Sequence, residues 1–144
     1  MFRKIDFKVA GVTFKNQADN QDRQTYLRFI QTRDRDTHLW LKREPKNQAD
    51  PNAIAVVART ITPAGKQSGE ITVGPFKIGY VPKQTAAWLS KIMDKGLSAY
   101  IVRTRRYGRE LNWISTSPKK ATLGCAATII YECEPEVAVE LEKQ

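Results

Sequence analysis

Residues 53–60, Ala53-Ile54-Ala55-Val56-Val57-Ala58-Arg59-Thr60, constrain the fold more than any other stretch. The run is mostly apolar and rich in β-branched side chains, and turn formers bound it: Pro51 and Asn52 before, Pro63 and Gly65 after. It reads as a buried strand, and a buried strand requires a sheet around it and layers over that sheet.

Neighbouring segments supply the rest of such a fold. Residues 6–14 alternate, with Phe7 and Val9 on one face, and break at Gly11, which predicts a first strand with a bend. Asn20 is placed to cap a helix from about Gln21, with Tyr26, Leu27 and Ile30 on its inner face. In residues 37–43, Leu39 and Leu41 alternate with Trp40 and Lys42, a second strand. Residues 44–51 carry two prolines, Asn47 and two acidic residues, which is loop chemistry. Residues 71–81 predict one or two short strands around a Gly74-Pro75 turn. Pro82 suits the first position of a helix in which Ala86, Leu89, Ile92 and Met93 keep helical spacing, Trp88 lies beside them, and Gly96 ends the helix. Residues 98–104 and 123–133 read as two long strands. The expected fold is mainly β with two helices, a compact barrel of about six strands. Residues 1–134 form one expected domain, with a basic hairpin connection at 103–120 and an acidic tail at 135–144.

Charge narrows the partners. The net charge is +9, from 24 Lys+Arg against 15 Asp+Glu. Arg103, Arg105, Arg106, Arg109, Lys119 and Lys120 cluster in one segment, opposed there only by Glu110. Such a surface favours a polyanion, most often nucleic acid. No apolar run approaches the ~18 residues of a membrane span, and the first residues lack the pattern of a signal peptide, so a cytoplasmic location is expected. Cys125 and Cys133 fall in one predicted strand, where eight residues at about 3.3 Å each separate them by ~26 Å, too far for a disulfide. With His38 the single histidine, a closed four-ligand Cys/His zinc site is excluded by counting. No phosphate-loop pattern is present, and Glu44 and Asp50 lack the third acidic partner of a metal-dependent nuclease. Neither an enzyme nor a cofactor is expected.

Three ordered blocks are specific. The segment 39–56 contains Arg43-Glu44-Pro45, then Asn47, Asp50 and Asn52-Ala53-Ile54-Ala55-Val56. Upstream stands Val9-Ala10-Gly11-Val12-Thr13-Phe14, and downstream Ile78-Gly79-Tyr80-Val81-Pro82 precedes a helix and Gly96. Together they resemble the HIRAN family over roughly residues 6–102. The resemblance implies an OB-like, six-stranded β-barrel. In relatives fused to remodelling helicases of DNA-damage tolerance it implies capture of the 3′-hydroxyl end of single-stranded DNA.

Position by position, the resemblance assigns nucleic-acid contacts to Thr13, Phe14 and Lys15 after the first-strand glycine. Thr13 replaces an arginine, Lys15 offers charge, and Phe14 is set to stack on a base. Asn47 and Asp50 match the pair at the nucleotide end, where the aspartate accepts from the terminal hydroxyl; Ala49 replaces an aromatic between them. Tyr80 matches a polar aromatic residue near the site, and Lys83 a phosphate-contacting lysine at a helix start, where the helix field also favours an anion. Beyond the resemblance, Trp113 among Arg103, Arg105 and Arg106 suits base stacking with phosphate contacts. Each residue also has an ordinary structural use. Asp50 before proline is a turn former, Asn47 can bond its own loop, and Phe14 can face the core. The expected partner is single-stranded DNA in repair or replication. The alternative is a protein-interaction module, such as a phage-encoded one docking on a host or replication protein, favoured by the acidic tail and by the changes at Thr13 and Ala49.

Overall fold

A computed structural model describes residues 1–12, 22–31, 36–63, 69–103, 105–106, 109–110, 114–116 and 123–132. The elements in chain order are β1 (Phe2–Lys8), α1 (Arg23–Gln31), β2 (Thr37–Arg43), β3 (Ile54–Pro63), β4 (Glu70–Tyr80), α2 (Lys83–Asp94), β5 (Ala99–Arg103), β6 (Arg105–Arg106), β7 (Arg109–Glu110), β8 (Ile114–Thr116) and β9 (Leu123–Glu132).

The β-branched run is the middle strand of the antiparallel sheet β2-β3-β4. Ile54 to Ala58 are all buried, as a strand flanked on both sides requires. Ile54, Val56 and Ala58 enter the main core with Phe76 and Ile78 of β4, while Leu39 and Leu41 of β2 pack against it. A second antiparallel sheet has β9 between β1 and β5, and β8 pairs with the start of β9. Alternate β9 residues Cys125, Ala127, Ile129 and Tyr131 are buried, the period-2 pattern of a strand with one core face. β6 and β7 form a separate small hairpin within the basic connection.

The expectation of an OB-like, six-stranded closed barrel is corrected here. The described strands lie in separate sheets, and the link between the two larger ones is a single bridge, Ala10 with Tyr80. Closure needs a continuous hydrogen-bond ladder around the ring. No ladder among the described residues joins β2 to β5, and β1 ends before its chain reaches β4. The fold is mainly β, with two helices packed on open sheets.

Smaller differences have local causes. The first strand occupies residues 2–8 rather than 6–14; after Val9 the chain leaves β9 and bridges to β4. The bend at Gly11 is real, with φ at +74°. Asp22 caps α1, its Oδ1 accepting from Gln24 N–H at 2.8 Å, and the expected cap Asn20 lies outside the described residues. Tyr26, Leu27 and Ile30 line the buried face as expected, and Tyr26 stacks on Phe76 with ring centroids 4.5 Å apart. Gly74-Pro75 makes no turn: it is a cis peptide inside the single long strand β4, at a register shift opposite Ala58–Thr60. Proline tolerates a sheet at such a bulge, and a Cβ on Gly74 (φ +107°) would meet Ala58 O at 2.7 Å. Pro82 is the N-cap of α2 and not its first helical residue. Trp88 is half-buried against the Tyr131 ring, centroids 5.0 Å apart. Cys125 is a buried free thiol whose pKa burial pushes far up; Cys133 lies outside the described residues.

Candidate nucleic-acid interface

The loop between β2 and β3 is held by its own polar side chains. Asn47 Oδ1 accepts from the backbone N–H of Ala49 at 3.0 Å and of Asp50 at 3.1 Å, and Asp50 Oδ1 accepts from Asn52 N–H at 2.9 Å. The loop is closed by Glu44 N–H to Ala53 O at 2.9 Å and Ala53 N–H to Asp50 O at 3.0 Å. Asn and Asp are the residues whose side chains substitute for backbone partners in this way. Arg43 clamps the loop from below. Its Nη1 donates to Pro51 O at 3.0 Å and to Ala53 O at 2.9 Å, while Nε and Nη2 grip both oxygens of Asp94, the last residue of α2, at 2.9 and 3.0 Å. That fork geometry is specific to arginine.

Glu44 ties this loop to the end of β4. Its Oε1 accepts from Asn47 Nδ2 at 3.1 Å and from Tyr80 OH at 2.7 Å, and its Oε2 pairs with Lys77 Nζ. Lys77 also donates to Tyr80 OH at 2.8 Å and sits 4.9 Å from the Tyr80 ring centre. Burial alone would raise the Glu44 pKa, but the hydrogen bonds from Lys77, Tyr80 and Asn47 outweigh it and hold the carboxyl below its ordinary value. For Lys77, burial works to lower the pKa and the bonds to Glu44 and Tyr80 prevail, raising it. In a regular strand, residues 77 and 80 would point to opposite faces. The register shift in β4, where Val56 faces Gly79 and Val57 faces Lys77, adds a residue and brings both to one face.

The segment after β1 docks on the same place. Ala10 and Tyr80 exchange both backbone hydrogen bonds, at 2.7 and 2.9 Å. Arg23 Nη1 donates to Gly11 O at 2.7 Å with its guanidinium 5.5 Å from the Tyr80 ring centre, and Gln24 Nε2 donates to Val12 O at 3.0 Å. Burial lowers the Arg23 pKa, opposed by Tyr80 and Glu44. Gly79 makes the approach possible: a Cβ there would collide with Ala10 O and Val9 Cγ1.

Of the residues singled out from the sequence, Asn47 and Tyr80 meet at one carboxylate oxygen of Glu44. Asp50 is half-buried in the loop that Asn47 organises. Lys83 is exposed on the first residue of α2, three positions beyond Tyr80. Thr13, Phe14, Lys15 and Trp113 lie outside the described residues. Arg103, Arg105 and Arg106 are placed by backbone alone, at the end of β5 and in β6. Sequence reading did not single out Lys77 or the clamp of Arg43, and it weighed Glu44 as a nuclease acid and as part of the Arg43-Glu44-Pro45 block, not as an anchor of the site. The signal for Lys77 was masked by the bulge that reverses its side; the signal for Glu44 was its place directly between the clamping Arg43 and the loop.

Among the described residues no three His, Cys, Asp or Glu side chains gather to hold a metal ion, and no helix is long and apolar enough to cross a membrane. The fold and the cluster define a small β-rich domain whose polar side chains anchor one another around an aromatic residue. A HIRAN domain model matches residues 3–120, and the chain belongs to the HIRAN domain family. HIRAN domains are non-catalytic recognition modules, and membership makes this chain a nucleic-acid-binding, DNA-repair-associated module in general terms. The crystal structure of a protein from Lactobacillus plantarum is similar at 18% identity and a TM-score of 0.47, over 92% of this chain and 100% of that one. No curated protein matches.

Proposed function

We propose that the chain binds single-stranded DNA at its 3′ end, with Asn47, Asp50, Tyr80 and Lys83 around the terminal nucleotide and Thr13, Phe14 and Lys15 completing the contacts. The observation that carries this reading is the convergence on Glu44, which links the Asn47–Asp50 loop to Tyr80 through one oxygen. With Glu44 and Asn47 spent on positioning, the groups left for ligand are the Asp50 carboxylate, Lys83 and the part of the Tyr80 ring that Arg23 and Lys77 do not cover. A carboxylate accepts from a terminal hydroxyl, an aromatic face supports a base, and a lysine at a helix start meets a phosphate. The N-terminus of α2 has no side-chain cap, which leaves its field available to an anion. Arg23 and Gln24 hold the Gly11 and Val12 carbonyls beside Tyr80, which supports a role for this segment. Arg103, Arg105, Arg106 and Trp113 supply a further basic contact region.

Fluorescence anisotropy with oligonucleotides ending in a 3′-hydroxyl or a 3′-phosphate tests the reading. The hydroxyl end should bind about tenfold more tightly, the effect of one charge-assisted hydrogen bond set against carboxylate–phosphate repulsion. Asp50→Ala should abolish that preference. Equal affinity for both ends removes end capture. Failure to bind any oligonucleotide, with a stoichiometric protein partner surviving nuclease treatment, favours the protein-interaction alternative instead.

A further inference from the structure

The sheet face turned away from the core continues outward from Tyr80. Core and outer faces of β2-β3-β4 separate cleanly: Ile54, Val56 and Phe76 point into the core, so Trp40 and Lys42 of β2, Arg59 of β3 and Lys77 of β4 share the opposite face with Tyr80. The ladder sets their positions. Lys42, Ala55 and Tyr80 form one cross-strand row, and Trp40, Val57 and Lys77 the next. Trp40 therefore stands two strand spacings, about 10 Å, across the sheet from Lys77. Its half-buried ring is overlaid by the Arg59 guanidinium, 5.8 Å from the ring centre. Arg59 is exposed and has no carboxylate partner among the described residues, and Lys42, also exposed, lies on the other side of Trp40, opposite Ala55. Ala55 and Val57 lie buried between the longer side chains of the two rows, so the exposed part of this face is made by Trp40, Lys42 and Arg59, with Lys77 paired to Glu44 at its end.

We infer that this face is an extension subsite for the DNA strand, taking the nucleotides that precede the terminal one. Trp40 stacks on a base while Arg59 and Lys42 meet the flanking phosphates. Two features select a single-stranded polyanion as the occupant. Lys42 and Arg59 leave an excess of positive charge once Lys77 is paired with Glu44, and the face is continuous with the Tyr80 cluster. A guanidinium over an indole presents a π-face and a phosphate donor side by side, the pairing that sequence-tolerant single-strand sites use. The inference rests on the end-binding pocket proposed above, and it adds a direction: the strand leaves Tyr80 across β3 toward β2.

Two lengths of oligothymidylate separate pocket from path, one of about three nucleotides and one of about ten. Trp40→Ala should weaken the longer strand about tenfold and the shorter by less than about twofold, as loss of one stacking platform requires. Trp40→Phe should restore most of the loss. Because an indole removed from a sheet can perturb folding, the exposed-site variants Arg59→Ala and Lys42→Ala provide a second readout. Each should lower the slope of log affinity against log salt by about 0.7 for the longer strand only. Asp50→Ala should weaken both lengths. If the wild-type chain binds the longer strand and the Trp40, Arg59 and Lys42 variants bind it equally well, the path is wrong while the pocket stands. If the wild-type chain binds neither strand, the pocket reading falls with it.

Discussion

Glu44 and Arg43 are adjacent residues with different energetic roles. Glu44 is partly buried and accepts from three donors, so its replacement by Gln leaves Lys77 without its counter-charge and should cost about 1–3 kcal/mol in urea denaturation. The pH dependence has two limbs. With its folded-state pKa below the ordinary 4.5, Glu44 contributes fully above that value, and the contribution drains as pH falls through the depressed value. Lys77, raised above 10.5, contributes fully below 10.5 and loses its contribution as pH climbs through the raised value. Glu44→Gln should flatten the acid limb of a stability–pH profile, and an unchanged acid limb would refute this role. Arg43 faces Asp94 in an exposed pair, with side-chain exposures of 15% and 56%, and such pairs contribute little. Its bonds to the Pro51 and Ala53 carbonyls matter more. Asp94→Ala should therefore cost less than about 1 kcal/mol. Arg43→Lys, which cannot reproduce the fork, should cost about 1–2 kcal/mol by the same denaturation measurement.

At the level of elements, the site depends on a close backbone crossing. Ala10 pairs with Tyr80 because Gly79 leaves room for Ala10 O and Val9 Cγ1. Gly79→Ala should destabilise the chain by about 1–3 kcal/mol, the usual range for overpacking, and should weaken DNA binding by displacing both Tyr80 and residues 11–12. A melting temperature and an affinity both at wild-type values would contradict the crossing. Much of this layer was legible in the sequence. Residues 37–43 and the buried run before Thr60 declare themselves by alternation and β-branching, the helix at 83–94 by its apolar spacing, and the 44–51 loop by its turn formers. The β4 bulges were not legible. Period-2 reading assumes one residue per step, and an inserted residue reverses every assignment beyond it, so Lys77 was lost from the site and Gly74-Pro75 was mistaken for a turn. Barrel closure was illegible for a related reason: alternation reports which residues face a core, and edge pairing leaves no mark in it.

For the whole molecule, net charge and sheet arrangement act together. A chain carrying +9 draws a polyanion regardless of sequence, and that attraction weakens with salt as counterions are released. Binding of a single strand through three phosphates should give a slope near −2 in log affinity against log salt, at about 0.7 per phosphate. A flat dependence would mean that the excess charge is a solvated surface and no part of recognition. The open sheets matter equally. On these sheets, the anchored 44–53 loop and the N-terminal segment pinned at residues 10–12 meet at Tyr80, and the first residue of α2 follows three positions later. The most direct measurement is an amide chemical-shift titration with a short single-stranded oligonucleotide bearing a free 3′-hydroxyl. The largest shifts should fall on Asn47, Asp50, Tyr80, Lys83 and residues 11–15 together. Shifts confined to the basic connection at 103–120, with the 44–53 loop and Tyr80 unmoved, would contradict it.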